Sequence, residues 1–264
     1  MRIALGVEYD GRGFSGWQTQ PNGNTVQDAL ERAVAAIVGA PVRCHAAGRT
    51  DAGVHATGQV AHLDCDVPRP PGAWVRGVNS HLPPGVAVCW AQPVPEHFHS
   101  RFSAYARCYR YVLLNRPVRP AIAAGQVGWF HAPLEVEAMR EASAHLLGQH
   151  DFSSFRAAEC QAKTPVKTLT RLDIERVGDT LTFSLEADAF LHHMVRNLVG
   201  ALLMVGKGGK PAEWMAELLA ARSRASAPPT FMPDGLYLTG VRYPEEFGLP
   251  SPPPLYGPRR QADV

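Results

Sequence analysis

No stretch of about 18 consecutive apolar residues occurs, so no segment is expected to span a membrane. The opening MRIALGVEYDGRG lacks the apolar run and small-residue cleavage site of a signal peptide. The five cysteines (Cys44, Cys65, Cys89, Cys108, Cys160) are odd in number, scattered, and contain no CxxC pair. That pattern argues against a disulfide framework or structural zinc and favours a reducing cytoplasm. No Gly-x-Ser-x-Gly elbow is present, and the glycine-rich loop after residue 10 lacks the Lys-Ser/Thr of a P-loop, so nucleotide-triphosphate binding is not expected. Lysine is scarce: Lys163, Lys167, Lys207 and Lys210 are the only four, so the rest of the 26 basic residues are arginine. The net charge of +2 by itself gives no hint of nucleic acid.

The 264 residues are long for one domain and suit two modest ones. Hydrophobic content of 45% with 19% charged residues excludes wholesale disorder. The arginine bias has two readings, high-GC codon usage or the grip of a planar guanidinium on phosphate and bases. Placement favours the second. No acid lies between Glu96 and Glu135, where Arg101, Arg107, Arg110, Arg116 and Arg119 all fall. A second acid-free stretch, between Asp188 and Glu213, holds Arg196, Lys207 and Lys210. Local positive stretches in a near-neutral chain suit a protein that holds a defined piece of polyanion.

Apolar alternation over 2–9 predicts a strand with one buried face. A helix is expected to start at Asn24 or Thr25, where Asn24 with Gln27 three residues on reads as a capping box, and to end at Gly39. Strands are expected near 41–47, 58–67, 85–94 and 104–115, with a helix near 72–82. Beyond lie a helix over 133–147, strands over 167–176 and 180–188 joined by Gly178-Asp179, and helices over 189–205 and 211–222. Without regular βαβ alternation, the class is α+β with a mainly antiparallel sheet. The expected organisation is one half over 1–104, a second over 105–243, and a proline-rich mobile tail over 244–264.

Among candidate sites, GRTDAGVH (48–55) stands first. If Arg49 to Asp51 is extended, both side chains share a face, presenting a guanidinium and a carboxylate together. The alternative is a surface turn closed by an Asx-type hydrogen bond. Phe14 and Trp17 offer faces for unstacked bases, or else tuck their loop under the core. In Tyr109-Arg110-Tyr111 the two tyrosines share a strand face, with Arg107 beside them. His192-His193, placed on a helix, would point about 100° apart and could not ligate one metal ion together.

These motifs are not anonymous. GRTDAGVHA (48–56) resembles the active-site signature of the TruA family of tRNA pseudouridine synthases. Other family features follow in order: Tyr9 to Gln20, FHSRFSA (98–104), YRY (109–111), DFSSFRA (151–157) with Cys160 and Lys163-Thr-Pro165, FLHHMVRN (190–197), and GLYL (235–238). The resemblance implies conversion of uridine to pseudouridine at nucleotides 38, 39 and 40 of the tRNA anticodon stem-loop. It implies no metal and no cofactor, and a homodimer that binds one tRNA across both subunits. It also implies two α/β halves sharing a long antiparallel sheet with a cleft between them. Asp51 matches the essential aspartate, and Arg49 the arginine that takes the flipped base's place. Tyr109 matches the tyrosine stacked on the target uracil, Arg196 the arginine pairing with the aspartate, and Leu236 the apolar residue closing the pocket. Phe98, His99, Arg101 and Phe102, and the loop with Gln161 and Lys163, match RNA-contacting segments.

The reaction breaks N1–C1′, rotates the uracil and joins C5 to C1′, so it needs no energy donor. It requires an ionised carboxylate near the sugar, a dry pocket and a nucleotide drawn out of its stack. Two routes are open to Asp51: attack on C1′, or removal of a sugar proton to give a glycal. What removes the C5 proton is open, with Tyr109 a candidate by position only. APPTFMPD before Gly235 departs from the GPTAP-like stretch of many members, with Phe231 and Met232 bulkier than usual. Two other classes compete: a catalytically silent tRNA-binding or chaperone protein, which would not need Asp51, and a hydrolase releasing free uracil.

Overall fold

The computed structural model describes residues 1–250. It divides into two compact units, Met1–Tyr105 together with residues 237–250, and Ala106–Leu236. Pairing is mainly antiparallel and helices are interspersed, so the class is α+β.

The first unit begins with β1 (Arg2–Tyr9), α1 (Val26–Val38), β2 (His45–Ala46), β3 (His55–Asp64), α2 (Pro71–Asn79) and β4 (Val86–Val94). Strand β1 lies between β4 and β3, antiparallel to both. Its expected solvent face is not there: Ala4 and Gly6 are buried as well as Ile3, Leu5 and Val7. The reason at Gly6 is the Trp90 indole, which lies where a β-carbon would stand. The cap of α1 is Thr25 rather than Asn24. Its hydroxyl accepts from the Asp28 amide, and Gly39 at φ 83° closes the far end in the left-handed conformation favoured at that position. Of the strand expected over 41–47 only β2 forms, and β3 starts at His55, earlier than the sequence suggested.

The second unit runs through β5 (Ala106–Asn115), β6 (Gly128–Phe130), α3 (Val136–Ala144), β7 (Gly148–Asp151), β8 (Val166–Val177), β9 (Thr180–Ala187), α4 (Met194–Gly206) and α5 (Trp214–Ala221). Its antiparallel order is β5-β9-β8-β7, with β6 parallel to β5. The β8–β9 hairpin turns at Gly178-Asp179 as expected, and β9 alternates buried and half-buried residues along its length. Helix α4 begins at Met194, five residues later than expected, because His193 sits at φ 62° outside the helical region.

The last strand, β10 (Leu236–Arg242), pairs in parallel with β3, Tyr237 opposite His55 and Leu238 opposite Ala56. The sequence reading had kept everything to Tyr243 in the second half and assigned 244–264 to a tail. In the structure residues 237–250 belong with the first unit, and Phe247 is buried with its ring 5.1 Å from that of Phe98. Residues 251–264 of that expected tail lie outside the described residues.

Candidate active site and RNA-contacting loops

The GRTDAGVH segment is the loop that leads into β3, and its backbone is tied down from several sides. The Trp17 amide donates to the Thr50 carbonyl at 3.0 Å, and the Val54 amide donates to the Asp51 carbonyl at 3.1 Å. Gly16, at φ 88°, lies so close that a β-carbon there would stand 2.7 Å from the Thr50 oxygen. Trp17 itself is buried with its ring 5.8 Å from that of Tyr9, so this tryptophan belongs to the core beneath the loop and does not offer its face to a base. At the loop's far end the Gly11 amide donates to His55 Nδ1 at 3.2 Å, and the His55 ring stacks on Tyr237 at 4.7 Å. Thr50 is buried between an exposed Arg49 and a half-buried Asp51. The two charged side chains thus sit either side of a buried residue on a fixed backbone, Arg49 exposed and Asp51 half-buried.

In the second unit, Arg196 and Tyr111 are tied to the segment from Phe231 to Leu236, while Tyr109 packs against Phe190. Tyr109 lies half-buried on β5 with its ring edge-on to Phe190, 5.0 Å away, which joins the YRY strand to the FLHHMVRN segment. Its face-mate Tyr111 is wholly buried, and its hydroxyl donates to the Met232 carbonyl at 3.1 Å. Burial raises the Tyr111 phenol well above its ordinary value, so it stays protonated. The Tyr-Arg-Tyr face is therefore core at Tyr111 and half-open at Tyr109. Arg196, on the first turn of α4, donates Nε to the Phe231 carbonyl at 2.8 Å. Leu236 is buried, its amide donating to the Pro233 carbonyl at 3.0 Å.

His192 and His193 precede α4, so the helical spacing argument against a shared ligand does not apply to them; their ring centroids lie 4.0 Å apart. The DFSSFRA loop is held to this turn: the Ala157 amide donates to the His192 carbonyl at 3.0 Å, and the His192 amide to Cys160 Sγ at 3.4 Å. Arg156 folds the following residues back by donating to the Cys160 and Ala162 carbonyls. Gln161 and Lys163 are exposed on that loop.

FHSRFSA divides into support and display. Phe98 is 0% exposed and packs on Tyr243 and Phe247, so it holds the loop from beneath and cannot offer its ring to RNA. Phe102 is 75% exposed, with the Arg101 guanidinium 5.5 Å from its ring centre and the His99 ring at 4.3 Å. A guanidinium beside an open aromatic face is the chemistry that stacks a base and holds a phosphate. The arginine-rich stretch is not all display, however. Arg107 donates to the Asp188 carbonyl and Arg116 to the Val118 carbonyl. The sequence reading did not single out Tyr9, Thr50 or Gln59, which bracket the acidic loop from below. The one signal was a glutamine in the middle of β3, a strand that is buried along nearly its whole length.

Among the described residues no helix is long and apolar enough to cross a membrane, and all five cysteines are free.

A family model described as tRNA pseudouridine synthase matches residues 6–103 and 142–244. A protein of Chromobacterium violaceum named tRNA pseudouridine synthase A is 67% identical over 252 residues, covering 95% of this chain and 96% of its own. Proteins of the same name from Dechloromonas aromatica and Methylobacillus flagellatus are 62% and 59% identical. Each alignment covers about the same share, 96% and 95% of this chain and 96% of either relative. The chain belongs to the tRNA pseudouridine synthase family. Among those enzymes it is of the TruA type, an isomerase that turns uridine in tRNA into pseudouridine.

Proposed function

We propose that this enzyme modifies uridines 38, 39 and 40 of the anticodon stem-loop and that Asp51 is its catalytic carboxylate. The observation that carries the reading is the acidic loop itself: a carboxylate on a backbone pinned by Trp17, Gly16 and Val54 keeps its position while a flexible RNA is drawn to it. Arg49, exposed one residue before Thr50, takes the place of the nucleotide that leaves the stack. Tyr109 stacks on the extruded uracil, Leu236 covers it, and Arg196 supplies positive charge for the reaction. His99, Arg101 and Phe102, with Gln161 and Lys163, contact the RNA outside the reacting nucleotide. Phe98 is left out of that set because it is core. The enzyme works in the cytoplasm, which the five free cysteines favour, and as a homodimer with one tRNA across both subunits.

The test is to map pseudouridine in tRNA transcripts that carry one uridine in turn at 38, 39 or 40. Modification at each of the three, and at no other stem-loop uridine, is the expected result. Modification elsewhere, with 38–40 untouched, would contradict it. Sedimentation of the enzyme with and without tRNA tests the dimer, for which a monomer with full activity is the opposing outcome.

A further inference from the structure

Beneath the acidic loop lies a chain of three buried polar side chains that apolar packing does not require. Gln59, in the middle of β3, is wholly buried and donates Nε2 to the Gly48 carbonyl at 2.7 Å and to the Tyr9 hydroxyl at 3.4 Å. The Tyr9 hydroxyl in turn meets Thr50 Oγ1 at 2.8 Å, both atoms buried. Tyr9 lies on β1 and Gln59 on β3, and these strands are paired, Val7 opposite Gln59 and Tyr9 opposite Ala56. The chain is therefore rooted in the middle of a sheet, the stiffest place the first unit offers.

We propose that Gln59, Tyr9 and Thr50 form a buried strut that sets the position of the Asp51 carboxylate, making them positioning residues for the isomerisation. The inference rests on the reading of Asp51 as the catalytic carboxylate. Gly48 and Thr50 flank Arg49, and Thr50 directly precedes Asp51, so the strut fixes the loop at the two points nearest its charged pair. The Thr50 carbonyl, held by Trp17, fixes the same residue from another direction.

Packing alone would be served by phenylalanine at residue 9, valine at 50 and leucine at 59. Each polar atom here is instead placed where it has to find a partner or cost stability. Gln59 Oε1 has none among the described residues, so the amide at 59 is a cost to folding that a hydrocarbon would avoid. Burial also pushes the Tyr9 phenol up to about 12, which keeps it protonated and paired with the Thr50 hydroxyl across the working pH range. A structural role predicts that removing these groups lowers stability; a positioning role predicts that it lowers turnover.

The experiment compares Tyr9→Phe, Thr50→Val, Thr50→Ser, Gln59→Leu and Asp51→Asn by steady-state kinetics on a tRNA transcript, with a thermal melt of each. Tyr9→Phe and Thr50→Val are expected to lower kcat by about tenfold to a hundredfold, since sub-ångström displacement of a reacting group costs that much. Their KM should stay within about twofold, because the RNA-contacting surface is untouched. Gln59→Leu should melt no lower than the wild type yet turn over more slowly. Thr50→Ser, which restores the hydroxyl, should recover most of the lost kcat. If Tyr9→Phe does not fold, the near-isosteric Thr50→Val carries the comparison. Wild-type kcat in both Tyr9→Phe and Thr50→Val, with Asp51→Asn inactive, would overturn the strut alone. A fully active Asp51→Asn would instead overturn the reading of Asp51 beneath it.

Discussion

Arg196 Nε donates to the carbonyl oxygen of Phe231 at 2.8 Å, and the next carbonyl along, that of Met232, accepts from the Tyr111 hydroxyl at 3.1 Å. At Met232 the segment before Gly235 thus acts through its backbone carbonyl, while the Phe231 ring packs 5.8 Å from that of Tyr111.

Met232→Leu is accordingly expected to keep kcat within about threefold of wild type. Arg196→Lys is not a conservative change, because an ammonium lacks the Nε donor and the planar fork that hold this geometry. A loss in kcat/KM of about a hundredfold is expected for it, read by pseudouridine formation on a transcript.

The contrast between Phe98 and Phe102 gives a second prediction. Phe102→Ala should weaken tRNA binding by about 1–3 kcal/mol, the usual worth of one aromatic stacking platform, and leave the melting temperature unchanged. Phe98→Ala should do the reverse, costing about 3–5 kcal/mol of folding stability as a large buried ring is lost. Filter binding and urea melts of the two variants separate these roles. Equal effects of both on binding would contradict the division.

The third concerns acid. His62 is buried, and its Nδ1 accepts from the Ser100 amide at 3.2 Å, which requires an unprotonated nitrogen there. Burial pulls its pKa down from 6.5 to about 4, with the nearby charges of His99, Arg2 and His45 acting the same way and Asp64 opposing them. Between those two values the unfolded chain binds a proton that the folded one refuses, so stability rises with pH through that window. Stability should therefore be fully present above about pH 6.5 and fall as pH drops toward 4. His62→Gln should flatten that part of the curve in urea melts, and an unchanged slope would contradict the assignment.

Much of the frame was legible in the sequence because it rests on periodicity and punctuation. Strand β1, the β8–β9 hairpin at Gly178-Asp179 and the end of α1 at Gly39 all lie where apolar spacing and turn residues put them. The short strands β6 and β7 were missed because three or four residues carry no readable period. The start of α4 was misplaced because only the fold reveals that His193 is left-handed. The position of β10 was hidden for a different reason: its partner β3 is remote in sequence, and nothing local says that the chain returns to the first unit. In the candidate site, Asp51 and Arg49 were visible through their glycine-flanked loop. Phe98 entered with the whole FHSRF segment through its resemblance to an RNA-contacting one, and a matched segment does not say which of its aromatics faces the core. Tyr9, Thr50 and Gln59 act only through contacts across strands and loops, which no linear spacing displays.

The most direct measurement is of Asp51→Asn, with tRNA affinity and pseudouridine formation followed on the same transcript. The substitution removes charge and keeps shape, so affinity is expected to remain within about threefold of wild type. Pseudouridine formation is expected to vanish, with no free uracil released. Pseudouridine formed at the wild-type rate by Asp51→Asn would contradict the role of this carboxylate, and with it the reading of the loop built around it.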